Sequence, residues 1–236
     1  MFKLLNFKMK IYSIVFLSFF IVLNCQSKKD NLDNKFNAWT SHNLKGEVKE
    51  ITTKTFEIEP LHNTKIQYGL YHNYKFSASG DELVYNIYDE NNVLKFESFP
   101  NYKDGKMTSA TIKNIQEKTL ENWVVKKYLL GFYGGEMECY IDNKLVKKVI
   151  NTINEKGHQT SMKVFNNGKL VYEKKIEYDK NENIIETTDN SYSNGTTSTI
   201  KSSFKYTKFD KKNNWIERHD IVDGKTLLTE RAIIYY

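Results

Sequence analysis

The chain predicts an all-β fold: one large twisted antiparallel meander sheet built from successive hairpins, able to curl into an open roll or partial barrel. Three observations carry this expectation. Apolar and polar residues alternate over long runs, as where Leu170, Tyr172, Ile176 and Tyr178 share one face and Glu173, Lys175 and Glu177 the other; that is the period of a half-buried antiparallel strand. Short polar turns rich in Asn, Asp and Gly punctuate these runs. Proline is confined to Pro60 and Pro100, while Tyr, Phe, Thr, Ile, Lys and Asn abound, a mixture that favours strands separated by polar turns. At 236 residues the chain is long enough for one domain with a buried core.

The first residues divide differently. Lys3, Lys8 and Lys10 precede an apolar run from Ile11 to Leu23, then Asn24 and Cys25. Such a run is too short to span a bilayer comfortably and reads as a secretory signal, complete whether it starts at Met1 or at Met9. Val22-Leu23-Asn24-Cys25 resembles the lipobox of bacterial lipoproteins, although Asn24 stands where a small residue is usual. That resemblance implies cleavage after residue 24 and lipidation of Cys25, so the membrane is the expected partner through that lipid. Gln26 after the cysteine implies sorting away from an inner membrane, hence an outer-membrane anchor in a Gram-negative cell. Residues 25–42 are polar and charged, with Lys28, Lys29, Asp30 and Asp33, and read as a tether. The β domain is expected over residues 43–236.

Cleavage would remove three lysines and no acids, lowering the formal charge from +6 to +3. Interspersed charges of that balance leave no nucleic-acid footprint. Cys139 would be the only thiol besides the lipidated one, so no intrachain disulfide can form. Its strand-like setting, Glu136 to Tyr140, suits a small buried residue better than a nucleophile.

Along the domain, Gly46 marks a turn or bulge, Val48 to Phe56 a first strand and Gln67 to Phe76 a second, with Pro60 and Asn63 in the loop between. A pattern then recurs: a large apolar residue, a polar turn, a residue tolerant of positive φ four positions on, and another strand. The copies pair Phe76 with Gly80, Tyr88 with Asn92, Ile153 with Gly157, Tyr178 with Glu182 and Phe209 with Asn213. Glu182 is the exception, where a turn shifted by one residue would give that role to Asn183. A second class of turn lies at Asp104-Gly105, Asn143-Lys144, Asn167-Gly168, Asn194-Gly195 and Asp223-Gly224. The stretch 117–130 carries both helical and strand spacing; Val124-Val125 and Gly131, Gly134 and Gly135 favour strands.

Tyr88-Asp89-Glu90-Asn91-Asn92, Tyr178-Asp179-Lys180-Asn181-Glu182 and Phe209-Asp210-Lys211-Lys212-Asn213 resemble the tyrosine-aspartate (YD) repeats of Rhs-type proteins. They also resemble degenerate repeats in bacterial lipoproteins that open with a Leu-Lys-Gly-x-Val-Lys segment, here Leu44 to Lys49. The resemblance implies a meander to which each repeat adds a hairpin. The irregular spacing of the copies opposes a strict solenoid, and the domain is too short to enclose a toxin as an Rhs shell does.

The last hairpin allows a register test. A two-residue Asp223-Gly224 turn sets Glu217 against Glu230, destabilising by about 0.2–1 kcal/mol. A bulged Val222-Asp223-Gly224 loop instead places Arg218 diagonal to Glu230 and Trp215 opposite Arg231, within cation–π reach. The bulged register is expected.

Chemistry is sparse. His42, His62, His72, His158 and His219 show no metal spacing and read mostly as surface residues. Glu57/Glu59 and Glu136/Glu138 lie at strand spacing, as a carboxylate-dependent glycoside hydrolase would need, but alternating acids on an exposed face are commoner. No nucleophile elbow, phosphate loop or dinucleotide fingerprint appears, so no cofactor and no catalytic residue is assigned. The aromatic surplus, 16 Tyr, 14 Phe and 3 Trp, is mostly core, with some rings free to face outward. Three readings follow: a non-enzymatic envelope lipoprotein binding a protein or peptide through its sheet, a carbohydrate-binding module using exposed aromatics, or a carboxylate hydrolase. The first is preferred.

Overall fold

The computed structural model describes residues 38–59, 64–104, 106–129, 133–154 and 158–236. The signal, Cys25, most of the tether, Pro60, His62, Asn63, Gly105, Gly131, Phe132 and Gly157 lie outside the described residues. A one-turn helix, α1 (Ala38–Ser41), precedes β1 (Val48–Glu59), β2 (Thr64–Gln67), β3 (Tyr71–Phe76), β4 (Glu82–Tyr88) and β5 (Leu94–Lys103). There follow β6 (Lys106–Asn114), β7 (Thr119–Leu129), β8 (Tyr133–Ile141), β9 (Lys144–Ile153) and β10 (Gln159–Asn166). The last five are β11 (Lys169–Tyr178), β12 (Ile184–Ser193), β13 (Thr196–Phe209), β14 (Trp215–Val222) and β15 (Lys225–Tyr235). The ambiguous stretch 117–130 is largely strand β7.

From β3 onward each strand pairs antiparallel with the next, and the expected partial barrel closes completely. One edge of β1 pairs with β15 from Val48↔Tyr235 to Glu57↔Leu227. Its other edge takes β3 in its first half, Glu50↔Lys75 to Thr53↔His72, and β2 in its second, Phe56↔Gln67 to Glu59↔Thr64. What the alternation suggests is one strand from Gln67 is thus broken at Tyr68-Gly69-Leu70, where Gly69 takes φ 70°. The result is a 14-strand closed barrel with β2 as an extra strand. Closure leaves β2 alone with an unpaired edge, and that edge is short and carries Lys65, both recognised protections against edge pairing.

Because successive strands reverse direction, turns after β3, β9, β11 and β13 share the proximal end, where β1 begins. Turns after β4, β8, β10, β12 and β14 lie at the distal end. The recurring pattern has one hydrogen-bond scheme. In its Asp copies the first turn residue accepts two amides on one carboxylate oxygen: Asp89 Oδ1 from Asn91 and Val93, both 2.9 Å, Asp179 Oδ1 from Asn181 and Asn183, and Asp210 Oδ1 from Lys212 and Asn214. Ser77 and Asn154 take the equivalent amide of the residue four on, at 3.0 and 2.9 Å. Gly80, Asn92, Glu182 and Asn213 all have positive φ. Glu182 itself is left-handed, at φ 68°, so the shifted turn through Asn183 does not form: Asp179 fixes the turn length by bonding the Asn183 amide.

The second class forms two-residue turns with both central residues at positive φ, as at Asn167 (47°) and Gly168 (76°) or Asn194 (51°) and Gly195 (76°), the geometry that matches strand twist. One is displaced by a residue from expectation. Asp142 and Asn143 form the turn, and Lys144 already pairs with Ile141.

The bulged register of the last hairpin is not found. Val222 pairs with Lys225 and Glu217 faces Glu230, because Asp223 (48°) and Gly224 (77°) adopt the two-residue turn. The like charges are tolerated because each has its own cation: Lys208 Nζ lies 2.6 Å from Glu217 and Lys65 Nζ 2.5 Å from Glu230.

The inner wall holds the core. Tyr85, Ile87, Ala110, Ile112, Trp123, Met137, Cys139, Val149, Met162, Val164, Tyr172 and Ile176 form one buried cluster spanning β4 to β11. At the proximal end, Ala38, Leu44, Val48, Ile51 and Phe76 form a second. There residues 38–47, expected in part as tether, run as a packed strap across the barrel end. The Ala38 amide bonds Gly80 O at 2.8 Å, the Asn43 side chain donates to Glu182 O at 3.5 Å, and Lys45 exchanges two bonds with the Asn214 side chain. Trp39 Nε1 donates to Val48 O at 2.6 Å. Three of the recurring turns thus form the socket for the strap, and Gly46, at φ 82°, lets the chain turn upward into β1.

Candidate functional site

The outer wall carries cross-strand charge pairs, interspersed with the exposed apolar residues Leu120, Val124, Ile221 and Ile234. Glu97 opposes Lys113, Lys163 opposes Glu173 and Lys208 opposes Glu217. The acid pair Glu136/Glu138 lies on this wall. Glu136 bonds Lys148 at 2.7 Å, and Glu138 takes the Tyr140 hydroxyl at 2.5 Å and Lys126 at 3.2 Å. The Tyr140 hydrogen bond, with Lys126, holds the Glu138 carboxyl below the usual range despite some burial. Glu57 faces Lys225 at 3.9 Å. These acids neutralise lysines and converge on no cleft.

Aromatic rings also reach the outer wall, but lysines cover them. Tyr71 and Tyr88 stack with centroids 4.6 Å apart, and Lys54 Nζ sits 4.5 Å over Tyr71. Lys113 lies over Phe99 at 4.8 Å and Lys65 over Phe56 at 5.6 Å. Among the described residues the well-exposed aromatics, Tyr68, Phe209 and Tyr236, are divided between the distal and proximal ends and make no strip.

Four histidines are described, and only His219 is exposed. The expectation of surface histidines fails because each of the others finds a polar partner inside. His72 Nδ1 bonds the Tyr85 hydroxyl at 2.6 Å, and burial pushes its imidazole down to about 4. His158 lies 3.4 Å from Glu182 and His42 lies 3.6 Å from Glu82. No group of three metal-ligating side chains converges among the described residues. Cys139 is fully buried, and burial, reinforced by Glu121, pushes its thiol up.

The interior carries charge of its own. Glu121 and Lys147 pair at 2.5 Å, with Trp123 Nε1 donating to the same carboxylate. Asp189 pairs with Lys174 at 3.3 Å and takes the hydroxyls of Tyr172 and Thr187. Asp220 holds Arg218 at 2.8 Å and takes Thr229 at 2.6 Å. Each acid satisfies one cation, as buried charges require.

Arg231 breaks this balance. Its guanidinium carbon lies 3.6 Å from the Trp215 ring centroid, and that of Arg218 lies 4.8 Å from the same ring. The cation–π contact expected between Trp215 and Arg231 therefore forms, although the register from which it was argued does not. Arg231 Nε and Nη1 are buried and meet no hydrogen-bond partner. Burial first, and the neighbouring Arg218 second, push its pKa down to about 9, against the opposing pull of Tyr206 and Tyr74. Those two phenols are themselves pushed up by burial and remain neutral. The centre combines two guanidinium groups, one carboxylate and an aromatic floor of Trp215, Tyr206 and Phe204. Two guanidinium groups against one carboxylate leave these three side chains with an excess of one positive charge.

No protein-family model matches the chain, and no curated protein matches it in sequence. Among solved structures, a porin-like protein from Bacteroides uniformis is similar over 80% of this chain and 99% of its own, at 10% identity and TM-score 0.49. A Photorhabdus luminescens Tc holotoxin pore structure is similar over 74% of this chain and 9% of its own, at 10% identity and TM-score 0.24. At these scores the fold assignment rests on the chain's own hydrogen bonding.

The sequence makes Arg231 and Trp215 legible as neighbours but not as a site. The available signal was phase: Arg218 and Asp220 lie on the same face of β14, and Asp220 opposes Leu227, a buried residue.

Proposed function

We propose that this chain is a non-enzymatic lipoprotein of the cell envelope, tethered by a lipid on Cys25 and binding a protein or peptide partner through the outer wall of its barrel. The observation that carries this reading is the charge of that wall. A barrel that spans a bilayer presents an apolar band about 25 Å tall, with charges there costing about 2–4 kcal/mol each. Here the outward positions hold lysines and glutamates paired across neighbouring strands. Such a barrel belongs in water, and attachment falls to the lipid. The strap also supports the reading, since it puts the start of the domain at the proximal end and leaves the distal end facing away from the anchor.

Two experiments test it. Replacing Cys25→Ala is expected to release the protein from the membrane fraction; continued membrane fractionation contradicts lipid anchoring. The domain from Asp30 onward, used as bait on an envelope extract, is expected to capture a defined protein and to give no signal on a glycan array. The opposite pattern would move the assignment to the carbohydrate-binding reading.

A further inference from the structure

We propose that the interior centre formed by Arg231, Arg218 and Trp215 is a binding site for a small oxyanion, a carboxylate or a phosphate. This goes beyond the envelope role and does not depend on it. Three other inward-facing acids each hold a lysine or arginine, Glu121 with Lys147, Asp189 with Lys174, and Asp220 with Arg218, while Glu82 lies 3.6 Å from His42. Among the described residues, Arg231 is a buried cation whose Nε and Nη1 meet no hydrogen-bond partner. Its neighbours Tyr74 and Tyr206 are neutral phenols, and the Tyr206 hydroxyl is already committed to Ile184 O at 3.0 Å.

Buried guanidinium nitrogens without hydrogen-bond acceptors, as Nε and Nη1 of Arg231 are, are costly for a fold to hold. Stacking on Trp215 relieves only part of that cost. The ring lies 3.6 Å from the guanidinium carbon and offers no acceptor to the N–H groups of Nε and Nη1. An oxyanion beside the stacked pair would supply the acceptors and offset the charge of Arg231, that of Arg218 being already met by Asp220. Guanidinium groups match carboxylate and phosphate geometry better than ammonium does. Part of the Arg231 surface remains accessible, so the site is not sealed.

The test uses the chain from Asp30 onward in a zwitterionic buffer, with sodium acetate or inorganic phosphate added at constant ionic strength and the thermal midpoint recorded. Saturable stabilisation by at least one of the two is expected, since a ligand bound to the native state raises the midpoint with its concentration. Acetate alone would identify a carboxylate site, phosphate alone a phosphate site. Arg231→Met is expected to lose the response while remaining folded, because an apolar side chain of similar length removes the unpaired charge. Arg231→Lys, which keeps the charge, is expected to weaken it. Lys113→Met, on the outer wall, is expected to retain it. Absence of stabilisation by both anions in the parent chain, or an undiminished response in Arg231→Met, would overturn the proposal.

Discussion

In the turn after β11, Asp179 Oδ1 holds the amides of both Asn181 and Asn183. Asp179→Ala leaves both without that acceptor and is expected to cost about 1–3 kcal/mol in a urea titration. Two residues before the strand resumes, Glu182 carries a positive φ that Asn92 and Asn213 take in the sister turns. Glu182→Asn relieves about 1 kcal/mol of backbone strain, since Asn adopts that conformation more readily, but removes the carboxylate 3.4 Å from His158; the net change in a urea titration is expected to fall below that gain. His72 makes the third prediction at this scale. Burial holds its folded-state pKa at about 4, below the ordinary histidine value of 6.5. The stability it confers is complete above pH 6.5 and is lost as pH falls from there towards 4. Denaturation at pH 7 and pH 5 should show this loss, and His72→Gln should diminish it; an unchanged pH dependence in the variant would assign the effect to other groups. The Asn and Gly positions of these turns were legible because their backbone preference is intrinsic. The inward histidines were not, because a lone histidine in a strand carries no mark of which face its neighbours bury.

At the scale of elements, the strap has the clearest energetic role. Leu44 is buried beside Ala38, Val48, Ile51 and Phe76, so Leu44→Ala is expected to destabilise the barrel by about 2–3 kcal/mol, measured by chemical denaturation. A cost below ~0.5 kcal/mol would mean that the strap packs without closing the proximal end. Its sequence is polar enough to read as tether up to residue 42; only the contacts with Gly80, Glu182 and Asn214, made by turns far along the chain, reveal the packing. Hairpins were legible to within a residue because their turns are local. The final register was not, because the repulsion of Glu217 and Glu230 is relieved by Lys65, a residue distant in the chain that neutralises Glu230. The break between β2 and β3 likewise depends on how β1 divides its edge between two partners.

For the whole molecule, alternation predicted a sheet with one apolar and one polar face, and closure decides which is which. The apolar face turns inward around Trp123, Met137 and Tyr172, and the lysine-glutamate rows turn outward. Closure itself depends on pairing between residues nearly the full chain apart, Val48 with Tyr235, which no local pattern encodes. The balance of charge inside is equally non-local: Arg231 sits at an inward position of β15 and meets its aromatic partner from the start of β14. The proposed envelope role requires a barrel for water, with its apolar surface inside. The most direct measurement is the behaviour of the chain from Asp30 onward, produced without signal or lipid and purified without detergent. A monodisperse, β-rich protein that leaves protein-free liposomes unoccupied is the predicted result. A chain that stays soluble only in detergent, or that inserts into the liposomes, would contradict it.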